Sequence, residues 1–297
     1  MENTRIKVKG LLVTLIAYLT ALIFVFLFYP LVRSLHPILA AAILDALATV
    51  VVFIFSMAFN NSSVYDPYWS VAPIPILLFW KFSQPAAENP VAWIILALVL
   101  LWGTRLTYNW ARRWTGLQDE DWRYTNFRKQ FPGIYWLISF LGIHLFPTIL
   151  VFLGCMAVYP AITANINNIS FLDIIAMLVT LSAILLEYFS DEQLRSFVTQ
   201  KSGSGAYLKT GLWKYSRHPN YFGEVLFWIG LSIFSMKPML FEWWILSGPL
   251  AMILLFFFIS VPMTDERMLG RKKGYDAHMK HTSGLIPWPP KHTEHER

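Results

Sequence analysis

The residues whose types and spacing are best suited to chemistry lie between Trp213 and Glu224. A cation, an imidazole, an amide, a phenol and a carboxylate occur there within eight residues, as Arg217, His218, Asn220, Tyr221 and Glu224. The apolar run 225–231 follows directly. Polar groups that enter a membrane helix are costly unless they have partners. The segment is therefore expected either to close a structural network or to bind a polar ligand at the bilayer surface.

Two further polar clusters lie where apolar runs end, and the members of each share one face of a predicted helix. They are Arg105, Asn109 and Arg112 in the first cluster, and Glu187, Asp191 and Arg195 in the second. In the segment from Trp213 to Glu224, Pro219 suits the first turn of a helix on which Asn220 and Glu224 face the same way. The sequence thus predicts three polar helix ends that can converge.

Three arginine-bearing helix ends around one pocket would suit a phosphate-rich cofactor, because arginine binds phosphate in a forked geometry. The alternative is that these arginines anchor the helix ends to lipid head groups. Lipid anchoring accounts well for Arg128, Lys129, Lys272 and Lys273. It accounts poorly for Arg105 and for the carboxylates of Glu187 and Asp191, since anchoring needs no acidic partner.

Two aspartates lie in or beside apolar runs. Asp66 precedes Pro67 and could simply cap the helix that follows, with Pro67 at its first position. The functional alternative is a carboxylic acid whose pKa is raised by burial, which could donate a hydrogen bond to a carbonyl group. Asp45 has no polar neighbours in sequence and is assigned no role.

The histidines do not predict a metal site. His278 and His281 have a spacing that suits one helix face, but no carboxylate or cysteine pattern completes a ligand set. The chain has no GxGxxG loop, Walker motif or serine elbow. A nucleotide cofactor, if bound, would be bound without a Rossmann fold.

The composition is that of an integral membrane protein. The 297 residues are 56% hydrophobic and 14% charged, whereas a soluble domain carries about 25% charged residues. The single cysteine, Cys155, excludes an internal disulfide and any multi-cysteine metal site. The net charge of +6 is better explained by membrane topology than by nucleic-acid binding.

Eight apolar runs predict an all-α bundle with about eight transmembrane helices. They are residues 11–29, 38–59, 68–82, 91–110, 134–158, 170–189, 219–236 and 241–261. The third run is short and carries Pro73 and Pro75, and the seventh is short and opens with polar residues. Both could be bent or partly buried.

The distribution of basic residues predicts the orientation of this bundle. With eight spans, most of the 24 lysines and arginines fall on one side, in the N-terminus, the loops 111–133 and 190–218, and the tail. Seven or nine spans would separate these groups. The positive-inside rule then places both termini and most polar residues in the cytoplasm.

The run 211–224, Gly-Leu-Trp-Lys-Tyr-Ser-Arg-His-Pro-Asn-Tyr-Phe-Gly-Glu, resembles the C-terminal signature of the steroid 5-alpha-reductase family, especially its bacterial-type branch. Further similar segments are 101–114, 119–124, 187–197, 265–268 and 274–288. The similarity covers roughly residues 60–290. Its strongest motif is shared more widely, with sterol C14 reductases and, more loosely, with isoprenylcysteine methyltransferases.

The resemblance implies a helical membrane bundle with NADPH in a cytoplasm-facing pocket. By position, the residues implied to line that pocket are Arg105, Asn109, Arg113, Asp191, Arg195, Arg217, His218, Asn220, Tyr221, Glu224 and Tyr275. The family also polarises an enone carbonyl with a carboxylate and a tyrosine. The carboxylate falls on Asp66, and the matching tyrosine position holds Trp102, for which Tyr68 or Tyr108 could substitute.

The implied organisation is an extra N-terminal transmembrane helix in residues 1–36, a steroid-reductase-like membrane domain in 37–290 and a disordered tail in 291–297. The implied activity is NADPH-dependent hydride transfer to an activated C=C bond of a lipid-like substrate, in a bacterial inner membrane or the endoplasmic reticulum. Two alternatives are an S-adenosylmethionine-dependent methyltransferase, which shares the Arg-His-Pro-x-Tyr element, and a non-catalytic lipid-binding protein, which Trp102 motivates.

Overall fold

The computed structural model describes residues 2–83, 89–200, 205–237 and 239–291. Within these ranges the secondary structure is helical and contains no strand, as the sequence predicts. An isolated bridge between Ser216 and Ser283 joins two extended segments. The predicted disordered tail, with His292 and His295, lies outside the described residues apart from Lys291.

The chain forms two compact units, residues 1–168 and 169–297. The helices of the first unit are α1 (Glu2–Val32), α2 (Pro37–Ala58), α3 (Tyr68–Val71), α4 (Pro73–Ser83), α5 (Pro90–Arg113), α6 (Trp122–Gln130), α7 (Tyr135–Met156) and α8 (Tyr159–Thr163). Those of the second unit are α9 (Phe171–Gln200), α10 (Pro219–Ile233), α11 (Trp243–Leu269) and α12 (Tyr275–His281).

Six helices of the described ranges are long and apolar enough to cross a membrane, namely α1, α2, α5, α7, α9 and α11. The protein is therefore a multi-pass membrane protein. The predicted third and seventh spans form shorter helices, because α4 has 11 residues and α10 has 15, whereas a straight crossing needs about 20. The predicted count of eight crossings stays a prediction.

Prolines and a glycine shape the region around α3 in the first unit. Pro73 and Pro75 lack a backbone N–H, and α3 ends at Val71 before α4 begins at Pro73. A Cβ atom at Gly103 of α5 would overlap the carbonyl oxygen of Ser70. This close approach of α5 to α3 buries Trp102 completely against Trp69.

The second unit is built on the pairing of α9 with α10. A Cβ atom at Gly223 would overlap the side chain of Glu187, and one at Gly230 would overlap Thr180. Small residues let membrane helices pack closely, so these two glycines bring the polar start of α10 against α9. As the sequence predicts, Pro219 occupies the first turn of α10.

Two π-helical segments interrupt the long helices. Residues Ser139–Leu145 of α7 and Phe256–Ser260 of α11 adopt this conformation. Such segments often occur near functional sites. The first carries the buried His144, and the second precedes Asp265 by less than two helical turns.

Candidate active site

Asp66 of the first unit is paired with a phenol. Its carboxylate oxygen Oδ1 accepts a hydrogen bond from the Oη of Tyr124 at 2.7 Å. Asp66 precedes α3, whose N-cap is Pro67, and no side-chain hydrogen bond caps this helix. The capping role considered for Asp66 is therefore wrong, because its carboxylate binds Tyr124 of α6 instead of the N-terminus of α3.

The two partners are brought together by the docking of one loop on another. The side chain of Asn61 donates to the carbonyl oxygens of Leu117 and Asp119 at 2.9 and 3.0 Å. The backbone N–H of Ser62 donates to Glu120 at 2.9 Å, and that of Asp121 donates to the Oγ of Ser63 at 3.0 Å. These bonds hold the segment before Asp66 against the start of α6.

An ion pair fixes this arrangement further. The guanidinium of Arg128 binds the carboxylate of Glu120 at 3.0 Å and lies over the ring of Tyr135 at 3.9 Å. The Oη of Tyr135 donates to the same carboxylate at 3.1 Å and also contacts the Oγ of Ser62 at 2.7 Å. Arg128, which lipid anchoring would explain, thus has a structural role inside the unit.

The surroundings of Asp66 favour its neutral form. Burial raises the pKa of Asp66 to about 7, and the nearby carboxylate of Asp121 also raises it, whereas Tyr124 and Arg123 act in the opposite direction. Burial, followed by the carboxylate of Asp66, raises the pKa of Tyr124 well above its ordinary value. Asp66 can therefore hold a proton near neutral pH and donate a hydrogen bond to a carbonyl oxygen.

The two tyrosines considered as partners of Asp66 lie elsewhere. Tyr68 donates to the carboxylate of Asp45 at 2.8 Å. Tyr108 is 63% exposed, and its ring lies beneath the guanidinium of Arg112. The phenol that contacts Asp66 belongs to Tyr124, which sequence reasoning missed although it ends the segment 119–124 that carries part of the resemblance.

The remaining predicted residues of the first unit lie on the last turns of α5. Arg105, Asn109 and Arg113 follow one another at intervals of four on one face of this helix. The side chain of Arg113 donates to the carbonyl oxygen of Asn109 at 3.3 Å, and that of Arg112 donates to the Oδ1 of Asn109 at 3.2 Å. Asn109 is buried, whereas Arg113 is exposed.

The second unit contains a cluster centred on Asp265 of α11. Its carboxylate accepts hydrogen bonds from the guanidinium of Arg217 at 3.2 and 2.6 Å and from the Oη of Tyr275 at 2.8 Å. It also contacts the Nε2 of His218 at 3.0 Å. Three predicted cofactor-binding residues therefore meet on one carboxylate.

Arg217 is largely occupied by protein acceptors. In addition to its two bonds to Asp265, its NH1 donates to the carbonyl oxygens of Met279 and Thr282 at 3.1 and 2.6 Å. A guanidinium has five N–H donors, so these four bonds leave at most one for a ligand. For Arg217, the geometry matches the structural-network alternative.

Other residues of this cluster are positioned by ring contacts. The ring of Tyr221 stacks on His218 with centroids 5.2 Å apart and an angle of 9° between the planes. The ring of Tyr207 contacts Tyr275 edge to face. Burial, followed by the carboxylate of Asp265, raises the pKa of Tyr275, so its hydroxyl stays protonated and donating.

The polar side chains at the α9–α10 contact form a separate group. Asn220 donates to the carboxylate of Asp191 at 3.3 Å. Glu224 is buried and accepts a hydrogen bond from the indole of Trp228 at 2.9 Å. Arg195 is exposed and pairs with Glu192 at 3.2 Å. Within the second unit, the predicted residues other than Arg195 thus divide between the Asp265 cluster and the α9–α10 contact.

Asp265 is a second residue that sequence reasoning left without a role. It lies in the segment 265–268, which carries part of the resemblance, but its partners Arg217 and Tyr275 are separated from it along the chain. Within the described ranges, no three side chains of His, Cys, Asp or Glu are grouped as metal ligands.

Residues 52–282 match the family described as Protein of unknown function (DUF1295). The chain belongs to the DUF1295 family. This chain is similar to Uncharacterized protein C594.04c of Schizosaccharomyces pombe, with 26% identity over 225 residues. The alignment covers 67% of this chain and 65% of the relative. No solved structure matches this DUF1295 chain.

Proposed function

We propose that this protein is a membrane NADPH-dependent reductase that delivers hydride to an activated C=C bond of a steroid-like or other lipid enone. The observation that carries the proposal is the pair of Asp66 and Tyr124, joined at 2.7 Å. The resemblance of residues 101–114 and 211–224 to the steroid 5-alpha-reductase family supports the reaction class.

In this mechanism Tyr124 orients the carboxyl group of Asp66, and the surrounding burial keeps that group protonated near neutral pH. The acid donates a hydrogen bond to the carbonyl oxygen of the enone, where negative charge develops as an enolate. NADPH, when bound, would supply a hydride for the β-carbon of the enone. A proton then adds to the α-carbon, so that the reaction consumes one hydride and one proton.

The described residues fit a phosphate-bearing cofactor in part. Arg217 has four N–H groups bound to protein acceptors and is better suited to positioning His218 and Tyr275 through Asp265. Arg113 of the first unit, which also contains Asp66, is exposed. We assign a phosphate contact to Arg113, because an exposed guanidinium can bind phosphate in a forked geometry.

The proposed orientation has eight crossings with both termini in the cytoplasm. If only the six long helices crossed, the N-terminal lysines and the basic loop after α5 would lie on opposite sides. When α3–α4 and α10 are also counted as crossings, the N-terminal lysines and the basic loop after α5 lie on the same side. Residues 68–83 would extend about 24 Å at 1.5 Å per residue, which approaches the hydrocarbon thickness of a bilayer.

A second candidate is an S-adenosylmethionine-dependent methyltransferase. The observation that favours it is the commitment of Arg217 to Asp265 and to two carbonyl oxygens. S-adenosylmethionine carries a sulfonium and no phosphate, so it requires no free arginine. Its sulfonium would instead suit carboxylates such as Glu187 and Glu224 of the second unit.

Calorimetric titration of the purified protein with NADPH and with S-adenosylmethionine separates these functions. The proposal expects NADPH to bind and an enone to be reduced with matching loss of NADPH absorbance. Arg113→Ala should weaken NADPH binding, whereas Lys273→Ala, which removes an exposed cation outside both clusters, should not. Exclusive binding of S-adenosylmethionine would establish the second candidate instead.

A further inference from the structure

A second aspartate lies inside the first unit. Asp45 of α2 is 6% exposed, and its Oδ1 accepts a hydrogen bond from the Oη of Tyr68 at 2.8 Å. The ion pairs found in the described ranges involve other carboxylates. An ionisable residue within a membrane helix is costly and usually functional, so a buried acid paired with a phenol calls for an explanation.

A file of four hydroxyl groups leads to this carboxyl group. The Oη of Tyr65 contacts the Oγ1 of Thr148 at 2.8 Å, which contacts the Oγ1 of Thr49 at 2.9 Å. Thr49 lies beside Tyr68, and the Oη of Tyr68 donates to the carboxylate of Asp45 at 2.8 Å. The four residues are at most 6% exposed.

The hydroxyl groups of the file can pass a proton from Tyr65 toward Asp45. Each hydroxyl has one hydrogen to donate and lone pairs to accept another. Tyr65 can therefore donate to Thr148, and Tyr68 to Asp45. Thr148 donates to the carbonyl oxygen of His144 at 2.9 Å, so its O–H must turn from that oxygen to Thr49 before Thr49 passes a proton to Tyr68. As a proton enters at Tyr65, each O–H bond breaks while the next one forms, and no electron is transferred.

The groups that face Asp45 do not compete for this proton at neutral pH. They are the phenols of Tyr68 and Tyr65 and the thiol of Cys155 on α7. Phenols and thiols are ordinarily uncharged at neutral pH. The edge-to-face contact of Tyr18 with Tyr68 adds a further phenol from α1.

We propose that Asp45 is a proton-binding site in the membrane interior that is loaded through the hydroxyls of Tyr65, Thr148, Thr49 and Tyr68. In the reduction proposed above, the α-carbon needs a proton that the hydride donor does not supply, and Asp45 is the acid assigned to this step. That assignment rests on the proposed function, whereas proton binding by Asp45 does not.

Infrared spectroscopy of the purified full-length protein tests the acid directly. A protonated carboxyl group has a C=O stretching band that a carboxylate lacks. The band should disappear in Asp45→Asn, shift in Tyr68→Phe and persist in Asp276→Asn, which removes an exposed aspartate of α12. A protonated-carboxyl spectrum that neither Asp45→Asn nor Tyr68→Phe alters overturns the proposal.

Exchange from H2O into D2O tests the file. Thr148→Val removes one hydroxyl and leaves the bond between Tyr68 and Asp45 in place. The Asp45 band should then exchange at least about tenfold more slowly than in the wild type, which corresponds to about 1.4 kcal/mol in the barrier. Thr180→Val, at a buried threonine of α9 in the second unit, should exchange at the wild-type rate. Equal rates in Thr148→Val and the wild type contradict loading through the file.

Neither infrared result requires NADPH or substrate. If the band behaves as expected while no enone is reduced, Asp45 is a proton-binding site and the reductase function is wrong. If enone reduction occurs while Asp45→Asn leaves the spectrum unchanged, the reductase function stands and the role of Asp45 is refuted.

Discussion

Tyr124 donates a 2.7 Å hydrogen bond to the carboxyl group of Asp66 across 58 positions of sequence. The pair joins the start of α6 to the turn before α3, and the loop contacts of Asn61, Ser62 and Ser63 hold both in place. Because burial favours the neutral acid, the pair can donate a hydrogen bond at the pH where most enzymes operate.

The pH dependence of enone reduction should report the protonation of Asp66. Since the acid form is the active one, activity should be retained below pH 7 and fall as the pH rises through about 7, the raised pKa of Asp66. Tyr124→Phe removes a hydrogen bond that lowers this pKa, so its falling limb should move to higher pH. Tyr188→Phe, at an exposed tyrosine of α9, should leave the profile unchanged. A limb that moves to lower pH in Tyr124→Phe would contradict the assignment.

Arg217→Ala should destabilise the protein, because it leaves the buried carboxylate of Asp265 without its cation. Breaking a buried ion pair costs about 3–5 kcal/mol, whereas removing the exposed pair in Arg195→Ala should cost about 0–1 kcal/mol. Thermal unfolding in detergent measures the loss of stability in both variants. An Arg217→Ala protein with wild-type stability but no NADPH binding would show that Arg217 is a ligand-binding group.

Gly223→Ala should also lower stability, since the added methyl group overlaps Glu187 at the α9–α10 contact. Overpacking of this kind costs about 1–3 kcal/mol. Gly142→Ala provides the matched control, because a Cβ atom there has open space around it. In the same thermal assay, the melting temperature of Gly223→Ala should be well below that of Gly142→Ala. Equal melting temperatures would argue against close packing at Gly223.

Cysteine accessibility can test the eight crossings, since the native Cys155 is buried. Introduced at the exposed positions of Thr4 and Asn126, cysteines should react with an impermeant reagent from the same side of the membrane. Asn168→Cys, beyond α7, should react from the other side. Labelling of Thr4→Cys and Asn126→Cys from opposite sides would mean that α3–α4 does not cross.

The positions of the helices could be predicted because apolar runs of about 20 residues are local signals. The sequence did not predict the pair of Asp66 and Tyr124 or the cluster on Asp265. Both depend on tertiary contacts between segments that are distant along the chain. Asp66 and Asp265 were both inside or beside recognisable segments. Their phenol partners, Tyr124 of α6 and Tyr275 of α12, are identified by the positions of these two helices. Tyr68, which the sequence offered as a partner of Asp66, donates its hydrogen bond to Asp45 instead.

The central claim is tested most directly by the single-turnover rate of enone reduction in Asp66→Asn with saturating NADPH. Asparagine keeps the hydrogen bond from Tyr124 but cannot donate an acidic proton. The account predicts a loss of about 10²–10⁴-fold in rate with unchanged NADPH affinity, while Asp276→Asn reacts at the wild-type rate. A wild-type rate in Asp66→Asn would contradict the account.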